Sequence, residues 1–337
     1  MVRFALGKGA AMINFYHTQE GRLSVLNPAG DLQAALAAAI WVDLVFPTPE
    51  EEALVRGSLG VDVPTREEMQ EIEISSRFYD EDGAKFLTAV ILSQPNGRDP
   101  ILAPVTFVLT GAKLVTVRYH SPRSFERFAE LAAKSSMVCH SGVNVLVGLL
   151  ESIVDRLADT LEAASVTLDD ISKSIFSPNS SKRKAGGALA QVLKQIGRAE
   201  DLNGKLRDSL ATINRLAGIL SLIVPQGKSD RDGRARVKTL MRDLQSLSEY
   251  STAQSQKVTF LLDASLGMIN IEQSRILGMF SVVAFVFLPP TLIASIYGMN
   301  FHSMPELDWE YGYPLAVVAM FVSAILPYLI FKRRGWL

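Results

Sequence analysis

A chain of 337 residues, 48% apolar and only 20% charged, is long enough for two domains at about 150 residues each and too apolar to stay unfolded. Its formal net charge of −1 supplies no basic excess for neutralising phosphates, which argues against nucleic acid as a partner. One cysteine, Cys139, cannot close an intrachain disulfide, and the four histidines, His17, His120, His140 and His302, share no ligand spacing, so disulfide scaffolds and catalytic zinc drop out.

The opening dozen residues lack a long apolar run, so no cleaved signal is expected. Strand-like runs at 40–46, 72–79, 84–92, 105–109 and 114–119 surround turn signals at Asp80-Glu81-Asp82-Gly83 and Gly111-Ala112-Lys113, which predict two hairpins. Helices fit at 49–59, where Thr48 caps and Glu50, Glu51 and Glu52 favour the positive end of the dipole, and at 65–71. After Ser121-Pro122 the strand signals stop. Helices are predicted at 123–133, 142–175 and 188–222, and from near 234 a run that meets no proline before Pro289. The breaks are Ser177-Pro178-Asn179-Ser180-Ser181 and Pro225-Gln226-Gly227-Lys228-Ser229. Unbroken into the apolar region, the last helix would extend on the order of 90 Å.

Residues 276–297 and 311–331 contain no charge, and each is long enough to cross a hydrocarbon core of about 30 Å. Arg275 precedes the first run and Lys332, Arg333 and Arg334 follow the second, while the loop between holds Glu306, Asp308 and Glu310 and no Lys or Arg. The positive-inside rule therefore puts both termini in the cytoplasm. The acidic loop then faces outward, where its field concentrates cations. The expected organisation is an α+β cytoplasmic domain (1–135), a helical hairpin region (136–233), a stalk helix (234–275), two membrane helices (276–297 and 311–331) joined by the outward loop (298–310), and a basic tail (332–337).

Apart from the interfacial Tyr297, the hydroxyl residues inside the first span, Ser281, Thr291 and Ser295, fall within an arc of roughly 80° at about 100° per residue. Toward the cytoplasm the same face collects Ser274, Asn270 and Asp263, and Leu277, Ala284 and Leu288 place apolar rungs on it. The face reads as pore lining whose rungs narrow or dewet a channel; close helix packing by small residues is the competing reading. Two helices cannot enclose an aqueous path, so a pore requires several copies. Asp263, Asn270, Leu277, Ala284 and Thr291 recur at the seven-residue step of helices bundled about an axis. Pro289 and Pro290 predict a local bend. A second pattern, Glu151, Asp155, Asp159 and Glu162, lines one helical face; it reads as an ordinary solvated face or as a bridge for regulatory metal between subunits.

The first span closes with Tyr297-Gly298-Met299-Asn300-Phe301, followed by Met304-Pro305-Glu306-Leu307, Tyr311-Gly312-Tyr313-Pro314 and a Lys332-Arg333-Arg334-Gly335-Trp336-Leu337 ending. In order, spacing and membrane context this resembles the CorA magnesium transport proteins. Gln254-Ser255-Gln256-Lys257 and Asn270-Ile271-Glu272-Gln273 extend the detailed likeness, and earlier residues match in layout only. The resemblance implies a funnel-shaped homopentamer in the cell inner membrane, admitting Mg²⁺ with Co²⁺ and Ni²⁺ as substitutes and needing no cofactor beyond transported and regulatory Mg²⁺. It implies that Asn300 meets the entering ion, with Gly298 and Met299 shaping its loop and Thr291 lower in the bore. Leu277, Phe280 and Leu288 would form a hydrophobic constriction, Asp263 would stand near the inner mouth, and the basic tail would ring that mouth. Ser274 departs from the asparagine common in relatives, which removes an amide ring there.

The residue types suit the ion. Mg²⁺ requires octahedral oxygen at about 2.0–2.1 Å and sheds water reluctantly, so neutral amide and hydroxyl oxygens that hold its hydration shell permit exit where a carboxylate ring would trap it. Inward movement needs no fuel, because a dication gains about 4.6 kcal/mol per 100 mV of inside-negative potential. No nucleophile–base set, P-loop or dinucleotide fingerprint is present, so no enzymatic activity is expected. The alternatives are a zinc transporter of the ZntB type, whose members usually carry isoleucine at the position of Met299, and a membrane-tethered receptor.

Overall fold

The computed structural model describes residues 12–19, 21–28, 30–93, 99–134, 139–176, 187–224, 231–299, 304–305 and 309–334. These fall into two compact units, Met1–Arg183 with Ala190–Leu261, and Lys184–Leu189 with Leu262–Leu337.

The first unit is built on a seven-stranded sheet. Its strands are β1 (Met12–Gln19), β2 (Arg22–Leu26), β3 (Trp41–Val45), β4 (Phe78–Glu81), β5 (Ala84–Ser93), β6 (Ile101–Thr110) and β7 (Lys113–Arg118), in the order β2-β1-β3-β7-β6-β5-β4. Every neighbouring pair is antiparallel except β3 with β7. Both expected hairpins are present. Asp82 (φ 48°) and Gly83 (φ 77°) turn β4 into β5, with Glu81 opposite Ala84, because Asp-Gly tolerates the positive φ that a two-residue hairpin turn demands.

Three differences from the sequence reading stand out. The sheet contains β1 and β2, which carry only weak alternation: Leu23 is buried but Val25 is exposed. The helix α1 (Leu32–Ala38), capped by Asp31, was not anticipated. Conversely, 72–79 is not one strand; Ile72 is exposed, Ile74–Arg77 form a short helix, and only the part beside the hairpin pairs. The other short helices follow expectation: α2 (Pro49–Leu59) and α3 (Arg66–Met69) each start with a reciprocal capping box, Thr48 with Glu51 and Thr65 with Glu68. In chain order Ile74–Arg77 is α4.

Alternation along the strands loads both faces of the sheet. Val42, Leu44, Val115 and Val117 pack with Leu36 of α1, Val55 of α2 and Met69 of α3. Trp41, Phe107 and Leu114 pack on the opposite side with Phe125 and Phe128 of α5 (Arg123–Lys134) and with long helices α6 (Gly142–Phe176), α7 (Gly187–Ile223) and α8 (Arg231–Tyr297). Buried in this second layer is a charged fork: Arg118 donates to Asp43 through Nε (3.0 Å) and Nη2 (2.8 Å), Thr116 donates to Asp43 (2.8 Å), and the guanidinium lies 4.7 Å over the Phe125 ring. Because Asp43 and Arg118 sit on β3 and β7, the fork stands at the one parallel junction and disfavours a slip in its register.

In the second unit, α8 continues to Tyr297 without a break through Pro289 and Pro290, and α9 (Gly312–Arg333) follows. Both helices are long and apolar enough to cross a membrane.

Candidate functional site

Along the apolar end of α8 one side is withdrawn from solvent. Val282 is 5% exposed, and Val286, Pro289, Pro290, Ile293 and Tyr297, at steps of three and four, are half-buried. Beside them Phe285 meets Phe331 of α9 with ring centroids 5.8 Å apart. Leu277, Ser281, Ala284, Leu288, Thr291 and Ser295 are all exposed. At about 100° per residue the mean directions of the two sets differ by roughly 180°. The hydroxyl face is therefore the one that α9 leaves open, and the two prolines sit on the other side. Asp263, Asn270, Ser274 and Phe280 are exposed as well.

Two of the hydroxyl protons on this face, those of Ser281 and Thr291, are committed to the helix's own backbone. Ser281 donates to the Leu277 carbonyl at 2.9 Å; Thr291 donates to the Phe287 carbonyl and, at 3.2 Å, to that of Leu288. What each oxygen presents outward is lone-pair density, which accepts from water or faces a cation.

Beyond Tyr297 the helix ends as Gly298 N–H donates to the Ala294 carbonyl (2.9 Å) and Met299 N–H to that of Ile296 (3.3 Å). A Cβ on Gly298 would stand 3.0 Å from the Ala294 oxygen, so the close approach explains the glycine. Met299 is exposed. Asn300, Glu306 and Asp308 lie outside the described residues. Glu310 is exposed between Trp309 and Tyr311, whose rings meet edge-on at 6.4 Å, and Lys332 and Arg333 close the last turn of α9.

Within the first unit the acidic stripe of α6 is partly occupied by arginine. Glu151 accepts a fork from Arg236 of α8 (2.9 and 2.6 Å), and Asp159 faces Arg127 of α5 at 3.5 Å. Asp155 lies between them with its carboxyl pushed up, mainly by burial, against the pull of Arg127 and with added repulsion from Asp159, Glu151 and Asp243. Glu162 is exposed. Among the described residues no three His, Cys, Asp or Glu side chains are grouped to hold a metal, so the stripe is not a ready-made metal site within one chain. Arg236 is 85 residues from Glu151, so local spacing carries no trace of this pairing.

An α+β body joined by one long helix to a two-helix apolar hairpin is the build of a two-span membrane transport protein. The family described as CorA-like Mg²⁺ transporter protein matches residues 37–333, and the chain belongs to that family. It is 33% identical to the magnesium transport protein CorA of Escherichia coli (strain K12) over 326 residues, covering 97% of this chain and all of that one. The fold matches the complete structure of the CorA magnesium transporter from Methanocaldococcus jannaschii with a TM-score of 0.77 at 18% identity, each chain covered in full. It also matches the full-length CmaX protein with a TM-score of 0.68 at 15% identity, covering 98% and 99% of the two chains. The family is one of transporters, which agrees with the lack of a catalytic motif.

Proposed function

We propose that this protein is a homopentameric channel of the cell inner membrane that admits Mg²⁺, with Co²⁺ and Ni²⁺ as substitutes, down the membrane potential. The spans are residues 276–297 and 311–331, both termini face the cytoplasm, and five copies of α8 turn their hydroxyl faces to a common axis. One observation carries this reading: the face bearing Ser281, Thr291 and Ser295 points away from the only other apolar helix among the described residues, so it is free to line a path made with other copies. The relatives named for magnesium transport support the choice of ion.

The hydrated ion is gathered by Glu306, Asp308 and Glu310, held through its water by Asn300 in the loop shaped by Gly298 and Met299, and passed along Ser295, Thr291 and Ser281. Leu288, Ala284, Phe280 and Leu277 form apolar rings whose wetting sets conduction, and Ser274, Asn270 and Asp263 lead to the inner mouth. Cytoplasmic divalent ions regulate the path by binding the closed arrangement more tightly than the open one. Asp155 and Glu162, the acids of the stripe with no arginine hydrogen bond among the described residues, are the first to test between subunits.

The deciding experiment is flux into liposomes with an internal Mg²⁺ indicator. Uptake is expected in the wild type and not in Asn300→Ala, with assembly intact; uptake by that variant would reject the filter. Competition by external Zn²⁺ that exceeds competition by Co²⁺ and Ni²⁺ would favour zinc transport, and no flux of any ion would favour a tethered receptor.

A further inference from the structure

We propose that α7 is the coupler between the sheet and the stalk helix α8, with Ser209 and Thr212 holding the sheet and Asn203 holding the stalk as positioning residues for gating. The inference rests on the gated-channel reading above.

The sheet end starts from an open strand edge. Strand β5 pairs with β4 only over Ala84–Leu87, so among the described residues its later part has no strand on that side. Val90 fills the gap with α7: its N–H donates to the Thr212 hydroxyl at 3.1 Å, and its carbonyl accepts from Ser209 at 2.8 Å. Both side chains are buried. Both of Val90's polar groups thus turn to the helix, which makes Val90–Pro104 a non-hydrogen-bonded pair across β5 and β6; the missing donor of Pro104 breaks no ladder bond. An isolated residue pair on a helix has replaced a strand.

At the stalk end, about two turns earlier on α7, the amide of Asn203 (1% exposed) donates to the Ser251 carbonyl (3.0 Å) and the Ser255 hydroxyl (2.8 Å), and accepts from the Ser251 hydroxyl (2.9 Å). One turn of α8 carries Ser251, Gln254 and Ser255, and Gln254 (4% exposed) donates to the Leu161 carbonyl of α6 at 2.8 Å. Besides a 3.4 Å bond from Arg207 to the Ser255 hydroxyl, the contacts around these groups are apolar, through Leu206, Leu210 and Ile213 of α7 and Leu240 and Leu244 of α8. Apolar ridges tolerate more than one register, whereas a buried amide bonded at both ends permits one. Among the described residues the Gln254 Oε1 is buried without a donor, so this register leaves one acceptor unmet there. A rigid helix with a discrete polar grip at each end transmits a displacement that sliding apolar contacts would absorb.

The test uses the full pentamer in liposomes. Asp169→Cys with Lys257→Cys reports the present register of α8 on α6, since those side chains meet at 2.5 Å, and Asp169→Cys with Ala253→Cys reports a shift of one turn. Crosslinks are made with a short bifunctional thiol reagent and scored by mass spectrometry, with and without internal Mg²⁺. In the parent, Mg²⁺ is expected to favour the 169–257 crosslink and suppress flux. In Asn203→Leu, and separately in Ser209→Ala with Thr212→Val, the crosslink pattern is expected to lose its Mg²⁺ dependence and the suppression to weaken about tenfold, while flux at low internal Mg²⁺ persists. Ser251→Ala with Ser255→Ala serves as the milder variant where Asn203→Leu does not assemble. Assembled variants that keep both the parent's crosslink response and its suppression overturn the proposal. If the parent shows no suppression, the gating reading fails, and a crosslink pattern indifferent to the grip residues then removes the coupler too.

Discussion

A hydroxyl on an apolar helix can spend its proton on the backbone or on a neighbour, and Thr291 and Ser281 spend theirs on the backbone. That choice leaves an acceptor-only surface at a small cost to helix stability. Thr291→Val keeps the branched shape and deletes the oxygen, so flux should fall by roughly tenfold, the worth of one hydrogen bond to a charged group, with melting unchanged or slightly raised; Thr291→Ser should retain flux. Full transport in the valine variant would take Thr291 out of the path. A second residue-scale prediction concerns His120, which is 7% exposed beside Arg118. Its Nε2 donates to the Ile91 carbonyl at 3.1 Å, while among the described residues Nδ1 is buried without a partner. Burial lowers its pKa to about 4, opposed by the Ile91 carbonyl and aided by the Arg118 charge. The folded state therefore binds fewer protons than the unfolded state between pH 6.5 and 4, and stability falls as pH falls through that window, by about 3 kcal/mol in all. Melting followed from pH 7 to 4 should show a shallower decline in His120→Gln; an identical decline would assign the acid sensitivity elsewhere. The sequence offered a histidine without ligand spacing and nothing more, since the burial comes from elements far along the chain.

Elements whose signal is local were legible, and elements defined by their neighbours were not. Helix α2 declared itself through Thr48 and Glu51, and the β4–β5 turn through Asp82-Gly83, because cap and turn chemistry act within four residues. Strand β2 did not, since Leu23 is buried and Val25 exposed, which breaks the period of two. The alternating Ile72 and Ile74 suggested a strand that has no partner until Phe78 reaches β5. For the candidate site, the hydroxyl arc was readable from α8 alone, but the side that α9 takes was not, as it depends on Phe285 meeting Phe331. The arrangement makes a direct prediction. Single cysteines at Ser281, Ala284, Thr291 and Ser295 should react with water-soluble thiol reagents, and cysteines at Val282, Val286 and Ile293 should not. Native Cys139 is buried with its thiol pushed up by that burial, so its own labelling should be slow. Equal reactivity on both faces would remove the pore assignment.

At the scale of the whole molecule, the proposed channel takes a single pore-lining helix from each chain, so conduction would belong to the assembly. Mass measurement in detergent or native bilayer should return five subunits, and flux should rise with inside-negative potential by the dication's gain of about 4.6 kcal/mol per 100 mV at equilibrium. A monomeric, conducting particle or a potential-independent flux would contradict the proposed channel. The order of the two units along the chain has one more effect. The sheet closes only when β7 reaches β3, some 70 residues on, and the helical residues that pack over it, through Leu244 of α8, precede the apolar end of α8. At translation rates of about 5–20 residues per second the ribosome therefore releases a foldable water-soluble body well before any segment the insertion machinery would capture. In the proposed membrane protein the hairpin is therefore made after the residues of the body that precedes it, and that body has the first chance to fold.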